Sequence, residues 1–333
     1  MGEHGRIARL RTHRRLAAYA LACAFVAWCA LSLHGDLARI PLGALRHSWD
    51  LVGAAALLSL ANYALRILRW RSYLARLGHG IPLRFAVLTY IAGFAWTLSP
   101  GKVGEMVRAR YYRPLGVPLA HVTAAFFAER LMDVLAMVAL AALLLASSAH
   151  YRGAILGVGL VLVALLPILA FAPWGRIASA LEARMTVPPG FGHWSRALWR
   201  APASAVHALA CTRPLLRPAP LIGGLALAVC AWGLEGAGLG VLSSMVAPGH
   251  LPLATAIGVY GVAVLVGGLS FLPGGLGSTE AVMTTLLMAQ GYDLGAAVLV
   301  TLVCRVVTLW LAVVLGWIAV LALRPRPLTL VES

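Results

Sequence analysis

Six stretches of the chain are apolar over lengths suited to a bilayer core: residues 16–33, 51–68, 134–146 with a polar lead-in, 154–172, 221–246 and 296–323. A helix needs roughly 20 apolar residues to cross that core, so these runs predict membrane-spanning helices. Two more apolar segments fit the pattern less well. Residues 85–98 are short for a span, and residues 255–272 are interrupted by Gly258, Gly261, Gly267 and Gly268. Each of these two ends in a Pro-Gly pair, Pro100-Gly101 and Pro273-Gly274, where a helix is expected to stop and turn. The longest polar interval, residues 173–217, is too short and proline-rich for a separate catalytic domain, so function is expected inside the helical bundle.

Composition agrees with the pattern. Of 333 residues, 61% are hydrophobic and 11% charged, where a soluble domain carries roughly a quarter charged residues. The fold class is therefore an all-α polytopic integral membrane protein. The 27 Lys and Arg against 11 Asp and Glu give a net charge of +16, which in a soluble chain would suggest nucleic acid. Here the charge is expected to report topology. If all eight segments cross, each side carries 12 of the loop Lys and Arg, which is no bias at all. If segments 85–98 and 255–272 dip in and return, 21 of the 27 fall on one side, in segments 1–15, 69–84, 99–119, 173–217 and 324–333. Cytoplasmic loops are enriched in Lys and Arg. The expected arrangement is therefore about eight embedded segments, six spans plus two re-entrant helices, with both termini cytoplasmic and the protein in the cytoplasmic (inner) membrane. The basic residues before residue 16 would fit a signal peptide, but the run is long and no small-x-small site ends it, so a retained span is expected.

The two dips repeat one another. Pro100 and Gly104 match Pro273 and Gly277; after a two-residue insertion, Glu105, Gly116 and Arg130 match Glu280, Gly291 and Arg305. With opposite directions of approach, the halves, about 51–172 and 219–323, form inverted repeats within a single membrane domain (1–333), joined by a cytoplasmic loop at 173–217. Many secondary transporters are built this way, with a site near the midplane.

Charge inside a membrane is costly and needs a partner or a purpose. Glu105, Glu129, Asp133, Glu235 and Glu280 are the acids in that position, with Arg130 and Arg305 among the bases. Glu129 and Asp133 share a helix face with Arg130 beside them, which fits an internal ion-pair network as well as a substrate site. Lys102 and Arg108 flank the turn Pro100, Gly101, Gly104, whose free N–H groups would suit a phosphate; a plain helix-breaking turn with arginines reaching for headgroups is the alternative. The second turn is Pro273, Gly274, Gly275 and Gly277. Arg66 is expected to snorkel at the end of its span, and Arg305 to find a distant partner in Glu280 or Glu235. Gly236 and Gly240 beside Glu235 read as helix packing. The five cysteines read as small core residues, and neither cysteines nor histidines show metal-binding spacing, so no metal, cofactor or catalytic residue is expected.

Ser99-Pro100-Gly101-Lys102-Val103-Gly104-Glu105-Met106-Val107-Arg108, then Glu129-Arg130-Leu131-Met132-Asp133, then Pro273-Gly274-Gly275-Leu276-Gly277 with Glu280 and Arg305, resemble the lysylphosphatidylglycerol synthase transmembrane family. That is the flippase-like region on the N-terminal side of the bacterial multiple peptide resistance factor, also found as stand-alone proteins. The resemblance covers nearly the whole chain and implies a flippase fold, with Glu105, Arg108, Glu129, Arg130, Asp133, Glu280 and Arg305 carried over by position. Two departures stand out: no soluble aminoacyl-transferase domain is expected beside this membrane region, and Ser278-Thr279 precede Glu280 where many relatives have a basic residue. The expected function is translocation of a phospholipid or lipid-linked headgroup. Its partners would be membrane lipids, anionic or zwitterionic, with a lipid-modifying enzyme as a further candidate and no nucleic acid. The alternatives are a membrane-embedded lipid or glycolipid transferase, or an accessory subunit of a lipid-modifying system.

Overall fold

The computed structural model describes residues 41–145, 174–184, 206–247 and 251–323, with a few isolated positions between them. The expected spans at 16–33 and 154–172 lie outside the described residues, as do both termini and Cys23 and Cys29. Among the described residues all regular structure is helical. The helices are α1 (Leu42–Arg46), α2 (Trp49–Arg76), α3 (Leu83–Gly93), α4 (Arg108–Tyr112), α5 (Leu119–Leu145), α6 (Trp174–Arg184), α7 (Pro218–Ser243), α8 (Leu253–Leu269), α9 (Ser278–Ala289), α10 (Leu294–Arg305) and α11 (Leu311–Ala322). A π-helical turn, Val306–Trp310, joins α10 to α11 without a break.

Among the described residues three helices are long and apolar enough to cross a membrane by themselves: α2, α7 and the continuous α10–α11 rod, Leu294–Ala322. Helix α5 has the same reach, at 27 residues, but carries Glu129, Arg130 and Asp133 at its middle. The apolar run at 134–146 is thus only its second half; the polar lead-in is helical as well. The structure also revises the segment after residue 68, counted as loop from its charges. Helix α2 continues to Arg76, because Trp70, Tyr73 and Leu74 supply a buried face beyond the apolar run.

The short segments turn as expected from their proline and glycine. Helix α3 tightens into a 3₁₀ turn, Phe94–Trp96, and Ser99 goes extended before a second 3₁₀ stretch, Pro100–Val107, leads into α4. Helix α8 ends at Leu269, and the turn Pro273–Gly275 reverses the chain into α9, which packs back against α8. Gly274, Gly275 and Gly277 all have positive φ there, a region that costs an L side chain roughly 1–2 kcal/mol. The two dips meet: Leu98 on one lies where a side chain on Gly274 of the other would have to go.

Helices α2, α5, α7 and α8 form the central bundle, and α11 packs on α3 and its 3₁₀ extension. Small residues permit the close crossings. Gly236 on α7 meets the backbone of Ile257 on α8, and Gly240 faces Ala256, which is the packing role read for that pair. Gly316 on α11 abuts the backbone at Phe94 and Ala95 and so holds the tip of the first dip. The interval between the halves is not all loop, since α6 lies within it and Trp174 packs against the main core. Of the described cysteines only Cys304 is buried; Cys230 is exposed on α7, contrary to a core role.

Candidate functional site

Four elements bring charge to one place. Helix α2 presents Tyr63, Arg66 and Trp70 at spacings of three and four, with Arg69 three residues beyond Arg66, all of them buried. Helix α5 contributes Glu129, Arg130 and Asp133, the first dip Thr97, Glu105 and Arg108, and α7 Trp232 and Glu235. Arg66 lies ten residues before the end of α2, about 15 Å along the helix, and does not snorkel. Its guanidinium stacks 5.3 Å from the centroids of both Phe94 and Trp232 and 5.8 Å from that of Tyr90. It stands 3.7 Å from Glu129 Oε1 and 4.0 Å from Asp133 Oδ2.

The other pairs are tighter. Arg69 Nη2 donates to Asp133 Oδ1 at 2.6 Å, and Trp232 Nε1 donates to the same oxygen at 3.0 Å. Arg108 Nη2 donates to Glu105 Oε2 at 2.5 Å and Nη1 to Glu129 Oε2 at 3.1 Å, while its guanidinium also lies 4.5 and 4.2 Å from the ring centroids of Trp70 and Tyr90. Tyr90 OH donates to Glu129 Oε1, and Thr97 Oγ1 donates to Glu105 Oε1 at 2.9 Å. Arg130 Nη2 lies 3.2 Å from Asp133, 3.3 Å from Glu129 and 3.7 Å from Glu105. Four guanidinium groups thus face three carboxylates, one positive charge in surplus. Removing ions from water costs several kcal/mol each, which only such dense pairing offsets.

The second half holds a simpler pair. Arg305 Nε donates to Glu280 Oε1 at 2.6 Å, and its Nη2 donates to the Gly274 carbonyl at 2.8 Å, so the arginine fastens helix α10 to the second turn. Of the two partners expected for Arg305, Glu280 is the one it reaches. Glu280 also accepts the Gly277 N–H at 2.7 Å, capping α9. Glu235 is buried and accepts the hydroxyl of Tyr260.

A cavity of about 290 Å³ lies between the dips. Arg66, Arg130, Asp133 and Trp232 line one part of its wall, Glu235, Tyr260 and Arg305 another, and Leu265, Leu269, Leu272 and Leu309 an apolar part. Glu105, Arg108 and Glu129 stand behind this wall and Glu280 beside Arg305, so the structure brings the sequence-derived candidates together without putting all of them on the cavity. The side chains of Pro100 and Lys102 lie outside the described residues. In the first turn one of the N–H groups is already taken. Ser99 Oγ accepts the Gly104 N–H at 2.6 Å, and Gly104 lacks a side chain because Trp96 and Ser99 occupy that space.

Arg66, Arg69, Tyr63, Trp232 and Tyr260 were not among the residues picked from sequence. The first two look like the basic end of a span; the signal that could have found them is their spacing of three on a face shared with Tyr63 and Trp70.

The fold and site define a multi-pass helical membrane protein with a buried ion cluster beside an internal cavity. The sequence matches the family described as the lysylphosphatidylglycerol synthase TM region over residues 15–316, and the chain belongs to that family. No curated protein matches the sequence.

Proposed function

We propose that this protein moves a phospholipid or lipid-linked headgroup across the cytoplasmic membrane, as a translocator and not an enzyme. The observation that carries this reading is the pair of guanidinium groups on the cavity wall with N–H groups left over. Arg66 and Arg130 both line the cavity, and in each the Nε and Nη2 atoms are buried without a hydrogen-bond acceptor. A phosphate supplies several acceptor oxygens in a geometry that guanidinium forks match. Glu235, on the same cavity, suits an amine on a zwitterionic headgroup. In this reading the two dips are re-entrant helices approaching from opposite faces among six spans, with both termini cytoplasmic. Irregular backbone at membrane depth is tolerated where protein or a wet cavity satisfies it, and both dips border the cavity.

Reconstitution into liposomes with fluorescent phospholipids tests the reading. The unmodified protein should accelerate leaflet exchange, and Arg130→Ala and Glu105→Ala should abolish it at normal protein level; Arg66→Lys, which keeps the charge and loses the fork, should reduce it strongly. Exchange retained in Arg130→Ala, or absent with the unmodified protein, overturns it.

A further inference from the structure

The cavity has a mouth, and the mouth is apolar. Most residues lining the cavity are buried or half-buried; among the described residues the exposed ones are Gly268, Leu269 and Leu272, at the end of α8 and the start of the second turn. Leu269 is 66% exposed and Leu272 46%. These two side chains therefore belong to the wall and to the outer surface at once, which marks where the interior opens. Phe271 stands between them, 72% exposed and at a φ of +54°, a backbone region that a bulky L residue rarely adopts. The rim is pinned by Ser270, whose Oγ donates to the Gly267 carbonyl at 2.7 Å and accepts the Leu272 N–H at 3.3 Å.

Size and polarity divide the substrate between inside and outside. A cavity of about 290 Å³ is at the low end for a small-molecule site, for which roughly 300–1,000 Å³ is usual. It accommodates a headgroup and not two acyl chains as well. Leucine and phenylalanine at the opening match hydrocarbon and would be poor company for water. One helical turn back along α8 from the mouth, Val264 and Leu265 also line the cavity and keep this side of the wall apolar.

We propose that the opening at Gly268, Leu269 and Leu272 is an acyl-chain portal: the headgroup occupies the cavity while the chains of the same lipid pass out between these residues into the bilayer. The proposal rests on the translocation reading and names how its substrate is held. Chains kept in hydrocarbon throughout avoid the free-energy cost of drawing each methylene through a polar passage.

The test uses the full chain in liposomes holding a phospholipid with a photoreactive diazirine on an acyl chain, with adducts mapped by mass spectrometry. Adducts are expected on Leu265, Leu269 and Leu272. Leu265 is the informative one, since it is half-buried on the cavity wall and a chain reaches it through the mouth. Leu272→Trp, which narrows the mouth, should lower the Leu265 adduct roughly tenfold while the adduct on lipid-facing Val314 stays unchanged. Adducts on Val314 with none on Leu265, or a Leu265 adduct indifferent to Leu272→Trp, overturn the portal. Leaflet exchange measured on the same liposomes separates the two ideas. Exchange without a Leu265 adduct removes the portal and leaves translocation standing; an adduct that responds to Leu272→Trp, without exchange, removes translocation and leaves an acyl-chain site.

Discussion

The two dips share a backbone plan and differ in what they do with charge. Ser99 and Leu272, just before the prolines, have nearly the same conformation, φ −67°, ψ 145° and φ −68°, ψ 145°. Gly116 and Gly291, at matching positions farther on, both have positive φ, 74° and 93°. Each half then joins a glutamate to the arginine 25 residues later, Glu105 with Arg130 and Glu280 with Arg305. Each short helix also carries a buried tyrosine that donates to a buried glutamate, Tyr90 to Glu129 and Tyr260 to Glu235. Around this common frame the first half builds a cluster of seven ions with most members fully buried, whereas the second keeps one pair in which the Glu280 side chain is 20% exposed. The insertion of Ser278-Thr279 accounts for part of the difference. It lets α9 begin at once and puts Glu280 in its first turn, where capping claims one carboxylate oxygen; Glu105 stays in a 3₁₀ stretch and turns inward to Thr97 and Arg108. A repeat can thus preserve geometry while one copy becomes a rigid electrostatic block and the other a clasp on a turn.

The largest expected contrast comes from neutralising one acid in each half. Glu129→Gln leaves Arg66, Arg69, Arg108 and Arg130 sharing two carboxylates in a buried site, and breaking such a network costs about 3–5 kcal/mol. Glu280→Gln keeps an acceptor for the Gly277 N–H and loses a single, largely buried ion pair, at about 1–3 kcal/mol. Thermal unfolding of the two variants in detergent should therefore differ; equal losses would mean that the halves are not the rigid block and the clasp described above.

Next in size are the glycines of the turns. Gly104→Ala forces a methyl to within 2.7 Å of Trp96 Cβ and Ser99 Oγ, overpacking that costs about 1–3 kcal/mol. Gly277→Ala meets nothing within 4 Å but must hold φ 83° with ψ −54°, a rare and strained region for an L residue, at about 1–3 kcal/mol. A larger side chain separates the causes: Gly104→Val should be far worse than Gly104→Ala, while at 277, where φ 83° comes with ψ −54° and lies outside the αL well, alanine and asparagine should cost about the same.

The Glu and Arg of the repeat were legible because charge is rare in this chain and each such residue needs a partner. The turns were legible because Pro-Gly in an apolar run has few other meanings. Arg66 and Arg69 were not, since an arginine at the end of an apolar run looks the same whether the helix stops or continues; the aromatic face that carries α2 onward became visible only when packed against Tyr90 and Tyr112. The count of basic residues by side is altered accordingly, because Arg69 and Arg108 belong to the buried cluster and not to cytoplasmic loops. Tyr63, Trp232 and Tyr260 were hidden for the opposite reason. An aromatic in an apolar run is ordinary core, and only the fold shows that these three line a cavity.

The smallest effect is the one whose sign should invert between the halves. Leu98 and Phe271 occupy equivalent places, two residues before the repeated proline. Phe271 is exposed and held at φ +54°, whereas Leu98 is half-buried, rests against Gly274 of the other dip and has no positive φ. Phe271→Gly removes a strain of about 1–2 kcal/mol, offset by roughly 0.5–1 kcal/mol of chain entropy, and should raise stability by up to about 1.5 kcal/mol. Phe271→Ala keeps a Cβ at positive φ and should gain nothing, which ties any gain in the glycine variant to the backbone and not to loss of the ring. Leu98→Gly gives up packing at the contact between the dips and adds the same entropy cost, so it should destabilise by about 1–3 kcal/mol. Thermal unfolding of the three variants in one detergent checks the inversion. A loss in both glycine variants would mean that the ring of Phe271, like the side chain of Leu98, is held by contacts that outweigh its backbone strain.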